Sequence, residues 1–309
     1  MIRKAVENIA KKLFPWWTLF FGSALYLCNT NELLANNCLS TTRDKKASNS
    51  QEVEDIICRI SPEDRTILER FFKELICFDC YGYVLFGNKP MAFATFENQI
   101  EIQYMLSLYS LQNNALKIGW QIWNKYQGLF NIKNYIFRVS QNPVCPEVTL
   151  IVLINKSACL KILSDNLKIF RSVLGDGITP EEIVLRLETE DTILDKVLNH
   201  HDGLLGMLLG YGVHNSMMYQ RRIQLAKQNK NPLIPSHNKG ISQNKRVNLT
   251  SSAPDHDLLS LVGFPRYAED PLSKESQSLR KDYAKTQAEL HQRCEEGDFL
   301  QLTLNRLVQ

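Results

Sequence analysis

Sixteen consecutive residues without a charge, LFPWWTLFFGSALYLC at 13–28, constrain this chain more than any other stretch. An apolar run of that kind goes either into a lipid bilayer or into the protein's own core. Its flank bears on the choice. MIRKAVENIAKK carries Arg3, Lys4, Lys11 and Lys12 against Glu7 alone, the cationic-then-apolar order of a bacterial-type export signal. The run is slightly shorter than the about 20 residues that usually span a bilayer, while Trp16 and Trp17 suit the interfacial belt. No A-x-A site follows, which argues against clean cleavage. Leu25-Tyr26-Leu27-Cys28 only loosely resembles a lipoprotein processing site, because Leu27 is larger than the small residue expected before Cys28. The positive-inside rule leaves the N-terminus cytoplasmic and the body outside. Membrane association through residues 13–28 is the expectation; the alternative is a cytosolic protein whose apolar N-terminus packs as a buried helix.

The remainder has the composition of a folded protein. Of 309 residues 44% are hydrophobic and 22% charged, and a net charge of +3 points to no particular partner. The eight cysteines lack the density of a small disulfide-stapled scaffold, and a chain of this length can build a core without staples.

Residues 29–51 read as a polar linker and 52–228 as one globular domain. In SPEDRTILERFFKELI, Ser61 is a good N-cap and Pro62 fits the first helical position. Ile67, Leu68, Phe71, Phe72 and Leu75 then recur at helical spacing. YGYVLF and MAFATF, separated by Gly87-Asn88-Lys89-Pro90, read as a first β-hairpin. The pattern from Gln99 to Gln127 is helical, with a break expected near Asn113-Asn114. YIFRVS and VTLIVLIN form a second hairpin across QNPVCPE. Leu160, Leu163, Leu167, Phe170 and Leu174 share a helix face that stops at Gly175, and Thr179 opens another helix with a capping-box arrangement. Elements that do not alternate singly argue for an α+β fold, mostly helical with two β-hairpins. Residues 229–273 read as a basic polar loop and 274–309 as a C-terminal helical tail.

Four blocks in this order, ISPEDRTILERFF, YGYVLFGNKPMAF, IVLINKSACLKIL and LLGMLLGYGVHN, together resemble an uncharacterised family of exported proteins in chlamydia-like bacteria, over residues 55–225. The resemblance implies export. It brings no activity, cofactor or catalytic residue.

Candidate chemistry is thin. Cys77-Phe78-Asp79-Cys80 has the spacing of a redox dithiol or half a zinc site, which makes Cys77 and Cys80 the candidate metal ligands. However, the pair follows a helix instead of opening one, where the dipole would lower a thiol's pKa, and no second ligand pair is in view. His200, His201 and Asp202 are the candidate catalytic residues, with His214 beyond them. Adjacent helical residues point about 100° apart and do not readily converge on one ion, and Asp202 has a simpler role as an N-cap. In GLLGMLLGYGV, Gly203, Gly206, Gly210 and Gly212 match neither a P-loop nor a dinucleotide fingerprint. They suit a helix packed closely on a neighbour, broken at Gly210-Tyr211-Gly212. No Asp or Glu lies between Asp202 and Asp255, whereas Arg221, Arg222, Lys227 and Lys230 open a run of basic residues that could meet anionic lipid. Nucleic acid is not expected, because that acid-free run has no stacking aromatics after Tyr219.

No cofactor is implied. The reading is a membrane-associated exported protein with a non-enzymatic interaction role. The rival is an exported metal-dependent or histidine-based hydrolase.

Overall fold

The computed structural model describes residues 46–98, 108–142, 145–228, 265, 269–295 and 297–309. The apolar run at 13–28, Cys28 and most of the two expected linkers lie outside these residues. Four helices and turns flank the first strand: α1 (Lys46–Ile57), α2 (Pro62–Cys77), α3 (Tyr81–Phe86), β1 (Met91–Glu97) and α4 (Leu108–Tyr126). Next come β2 (Tyr135–Gln141), β3 (Val148–Asn155), α5 (Lys156–Asp165), α6 (Leu167–Leu174), α7 (Pro180–Thr189) and a π-turn at Ile193–Val197. The chain closes with α8 (Asp202–Leu208), α9 (Val213–Gln228), α10 (Lys274–Glu295) and α11 (Phe299–Leu307). The fold is α+β, mostly helical around a small antiparallel sheet.

The sheet has three strands in the order β1-β3-β2, with Met91 opposite Ile154 on one edge and Ile136 opposite Ile154 on the other. Its central strand explains the layout. Ile151, Val152, Leu153 and Ile154 are all buried in succession, which a strand tolerates only when both faces are covered. Successive side chains point to opposite faces, and they divide between two cores accordingly. Ile151 and Leu153 join Ala92, Ala94, Phe137 and the helices α2, α3, α4, α10 and α11. Val152 and Ile154 join Met91, Ile136 and the helices α5 to α8.

The first core is aromatic. Trp123 sits edge-on to Phe72 at 5.4 Å and stacks on Phe130 at 5.6 Å, with Phe137 of β2 at 5.5 Å. Tyr81 Oη donates to the Ile151 carbonyl at 2.7 Å and accepts from the Ala94 amide at 3.1 Å, so α3 is bonded to both β1 and β3. Where α4 crosses α2, a Cβ at Gly119 would lie 2.5 Å from the Phe71 Cβ, which has no freedom to move aside. Gly119→Ala is therefore expected to destabilise the fold by about 1–2 kcal/mol, overpacking outweighing the better helix propensity of alanine. Urea denaturation reads this directly; a gain in stability would show that the helices separate freely.

Several expectations hold in detail. Ser61 Oγ accepts from the Asp64 amide and Thr179 Oγ1 from the Glu182 amide, each at 3.2 Å. Leu68, Phe71, Phe72 and Leu75 are buried as the helical spacing predicts. β2 and β3 form the expected hairpin.

Others are corrected. YGYVLF is helix, not strand, and β1 pairs with β3; among the described residues there is one hairpin, not two. Five consecutive residues, Tyr81 to Leu85, are buried, and a run apolar all round carries no period to separate helix from strand. Helix α1 begins at Lys46, inside the expected linker 29–51. Helix α4 runs through Asn113-Asn114 without a break. The face from Leu160 to Leu174 is two helices, parted at Asn166, whose side chain donates to the Ile162 carbonyl. Residues 274–309 are part of the core: Tyr283, Leu290, Phe299, Leu304 and Leu307 are buried in the first cluster.

Candidate functional site

The glycine-rich segment around Gly210-Tyr211-Gly212 is the point where three distant parts of the chain meet. Gly210 and Gly212 adopt φ of +74° and +84°, a left-handed turn that glycine alone enters without strain. It breaks the run into α8 and α9, which then lie close together. A Cβ at Gly206 would come 2.7 Å from the Ser216 Oγ, and one at Gly203 3.1 Å from the Gln220 Cβ. The close-packing expectation for these glycines is met.

Helix α10 clamps both sides of this turn. Tyr283 Oη donates to the Gly210 carbonyl at 2.5 Å, and the Glu275 carboxylate accepts from the Val213 and His214 amides at 2.8 and 2.9 Å. A carboxylate at a helix N-terminus meets orphan donors and the positive end of the dipole; here it arrives from sixty residues away. Asn215 completes the joint. Its amide donates to the Tyr211 carbonyl and to Ser276 Oγ, and its carbonyl accepts from the Asp270 amide at 2.9 Å.

Lys89 enters from the α3–β1 connection. It is buried, donates to the Leu209 carbonyl, and lies 4.8 Å from the Tyr211 ring centre and 5.9 Å from that of Tyr283. Burial lowers its pKa to about 8. The ammonium sits at the C-terminal end of α8, where carbonyls lack intrahelical donors and a cation is favoured. Nearby, burial pushes the Cys80 thiol up to about 11 and the Asp79 carboxyl up to about 8, the latter helped by Glu74. Asp79 Oδ2 is buried with no hydrogen-bond partner. At neutral pH this gives an ammonium, a neutral thiol and a neutral acid; the arrangement is a buried helix cap, with no thiolate to act as nucleophile.

The sequence candidates separate into local roles. His201, not Asp202, is the N-cap of α8: its Nδ1 accepts from the Leu204 amide at 3.1 Å. Asp202 is the first helical residue, since Asn199 and His200 have already turned the chain through left-handed φ of 50° and 55°. Desolvation lowers the His201 pKa. His200 Nε2 pairs with Asp195 at 2.7 Å, and His214 Nε2 with Asp270 at 3.2 Å. The three histidines therefore answer to three different partners. Cys77 and Cys80 also part company: Cys77 ends α2, where the neighbouring Cys294 of α10 and burial hold its thiol protonated, while Cys80 takes a left-handed φ of 64° ahead of α3. Among the described residues, no three His, Cys, Asp or Glu side chains are grouped to hold a metal ion.

Arg221 and Arg222 are exposed on α9, and Leu225, 48% exposed, follows at helical spacing on the same side. Lys227 belongs to the same helix, and Lys230 lies outside the described residues. An apolar cavity between Phe93, Leu150, Val152, Leu194 and Leu205 measures about 30 Å³, the share of one water and far below the roughly 300 Å³ of a small-molecule site.

Sequence reasoning missed Lys89, Glu275 and Cys294. Lys89 read as part of an exposed Gly-Asn-Lys-Pro turn, and the other two sat in what looked like a tail. Acidic and cysteine side chains in a helix carry no local mark of a distant partner. No protein-family model, curated protein or solved structure matches this chain.

Proposed function

We propose that this chain is a membrane-associated exported protein with a non-enzymatic, interaction role. The observation that carries the reading is the order of the N-terminus: a cationic opening followed by sixteen residues without charge at 13–28. The separate engagements of His200, His201 and His214 support it, because the rival hydrolase needs them to converge. The exposed face of Arg221, Arg222 and Leu225 supports a second, weaker contact with anionic lipid. Each basic residue near such a surface contributes about 1 kcal/mol, and an exposed leucine adds apolar contact. No helix among the described residues is long and apolar enough to cross a membrane; the anchor in this reading is the run at 13–28.

Membrane fractionation tests this. The full-length chain is expected to sediment with membranes and to resist high-salt extraction, and a chain lacking residues 1–30 to remain in the supernatant. Equal partition of the two would overturn the anchor and leave the cytosolic reading in its place.

A further inference from the structure

We propose that the Asp176-Gly177 bond, in the turn between α6 and α7, is a site of spontaneous backbone modification, at which the chain closes a succinimide and opens it to isoaspartate. The chain contains two Asp-Gly bonds, Asp176-Gly177 and Asp202-Gly203, and the reaction asks the same of each. The aspartate carboxyl carbon must reach the nitrogen of the next residue, and that nitrogen must be free of a hydrogen bond. Glycine favours the approach because it has no Cβ to obstruct it. The fold treats the two bonds in opposite ways. Asp176 and Gly177 are both exposed at the tip of their turn, and a Cβ at Gly177 would meet nothing within 4 Å. The turn is held at its ends. The Gly175 amide donates to the Arg171 carbonyl at 2.9 Å, the Ile178 amide to the Gly175 carbonyl at 3.2 Å, and Arg171 Nε to the Ile178 carbonyl at 3.1 Å. Among the described residues nothing bonds the Gly177 amide or the Asp176 carboxyl. Asp202-Gly203 is the reverse case. Gly203 is buried in the first turn of α8, its amide donates to Gln220 Oε1 at 3.0 Å, and a Cβ there would lie 2.9 Å from the His201 ring.

The Gly177 nitrogen attacks the side-chain carbonyl carbon of Asp176. A C–N bond forms, the bond to the carboxyl hydroxyl breaks, and one water leaves, made of that hydroxyl and the Gly177 amide proton. Water then adds to one of the two ring carbonyls. Opening at the side-chain carbonyl restores aspartate. Opening at the main-chain carbonyl leaves Gly177 joined through the Asp176 side chain, with a free α-carboxylate. Nothing is oxidised or reduced, and the water lost in closure is regained in opening, so water is the one co-reactant. The product carries an extra methylene in the main chain just ahead of Ile178, which is buried in the second core, and of Thr179, whose side chain caps α7. Its exposed α-carboxylate is the group taken by an S-adenosylmethionine-dependent carboxyl methyltransferase that recognises isoaspartate.

The full-length chain is aged in neutral buffer and digested, and its peptides are treated with such a methyltransferase and a labelled methyl donor. Label on the peptide containing Asp176 is expected to exceed that on the peptide containing Asp202 by about tenfold or more, the factor that about 1.4 kcal/mol of local opening imposes at the second bond. Ageing in urea should bring the two to similar levels, since the unfolded chain protects neither. Gly177→Ala, whose Cβ has room, is expected to stay folded by circular dichroism and to lose most of the label at 176. Asp176→Glu, which would have to close a larger ring, should lose it too. Equal label at the two bonds in folded chain, more label at Asp202 than at Asp176, or no label at Asp176 after a time that labels the urea sample would each overturn the proposal.

Discussion

Asp79→Asn is expected to leave stability almost unchanged near pH 4 and to raise it by on the order of 4 kcal/mol at pH 8. The Asp79 carboxyl moves from an ordinary 3.8 to about 8 because burial disfavours its charge and Glu74 lies near. In the native state it therefore holds its proton across a range in which the unfolded chain has released it. The folded state binds more protons between pH 4 and 8, so stability falls as pH rises through that window. Asparagine keeps the shape and removes the titration. Lys89 acts in the opposite direction at higher pH: its ordinary 10.5 falls to about 8, so the unfolded chain binds more protons between about 8 and 10.5 and stability is regained there. Urea denaturation of both proteins at intervals across this range measures the difference. Parallel profiles would mean that Asp79 is ionised and solvated in the native state.

The second large effect concerns the joint at Gly210-Tyr211-Gly212. Glu275→Ala removes the carboxylate that satisfies the Val213 and His214 amides. Two donors at a helix N-terminus lose a charge-assisted acceptor, and the expected cost is about 2–4 kcal/mol. The loss should be local in origin. Hydrogen exchange at Val213 and His214 should rise first, while the amides of β3, between the two cores, keep their protection relative to the lowered global stability. Glu275→Gln, which retains an acceptor without the charge, should fall between the two. A change smaller than about 0.5 kcal/mol in Glu275→Ala would show that α9 is capped from elsewhere.

These two residues mark the boundary of what can be read from a chain. Helix α2 was legible because its cap, its first-position proline and its apolar stripe lie within sixteen residues, so their physics is local. Strands β2 and β3 were legible for the same reason: strand propensity bounded by turn residues needs no distant partner. The fully apolar IVLI run of β3 also shows afterwards why the sheet is covered on both faces. Helix α3 failed because its residues are buried on every side, and amphipathic period is the signal that propensity arguments need. The partner of β1 failed with it.

The candidate site was legible in its backbone and not in its side chains. The glycines at 203, 206, 210 and 212 announced a close helix pair and a break, since only glycine combines left-handed φ with the absence of a Cβ. Their neighbours Ser216 and Gln220 follow within one hairpin. Lys89, Glu275, Tyr283 and the Cys77–Cys294 contact come from elsewhere in the chain. A lysine in a turn and a glutamate in a helix are ordinary solvated residues until the fold surrounds them, because burial and hydrogen-bond partners belong to the assembled core. The sequence by itself determined the cationic and apolar order of the N-terminus, the acid-free basic stretch after Asp202, and the helices whose caps and faces are local. The tertiary structure alone decided that the C-terminal helices complete the first core, that the histidines go to separate partners, and that Asp79 and Lys89 titrate far from their ordinary range. Desolvation and long-range contact have no imprint in spacing or composition.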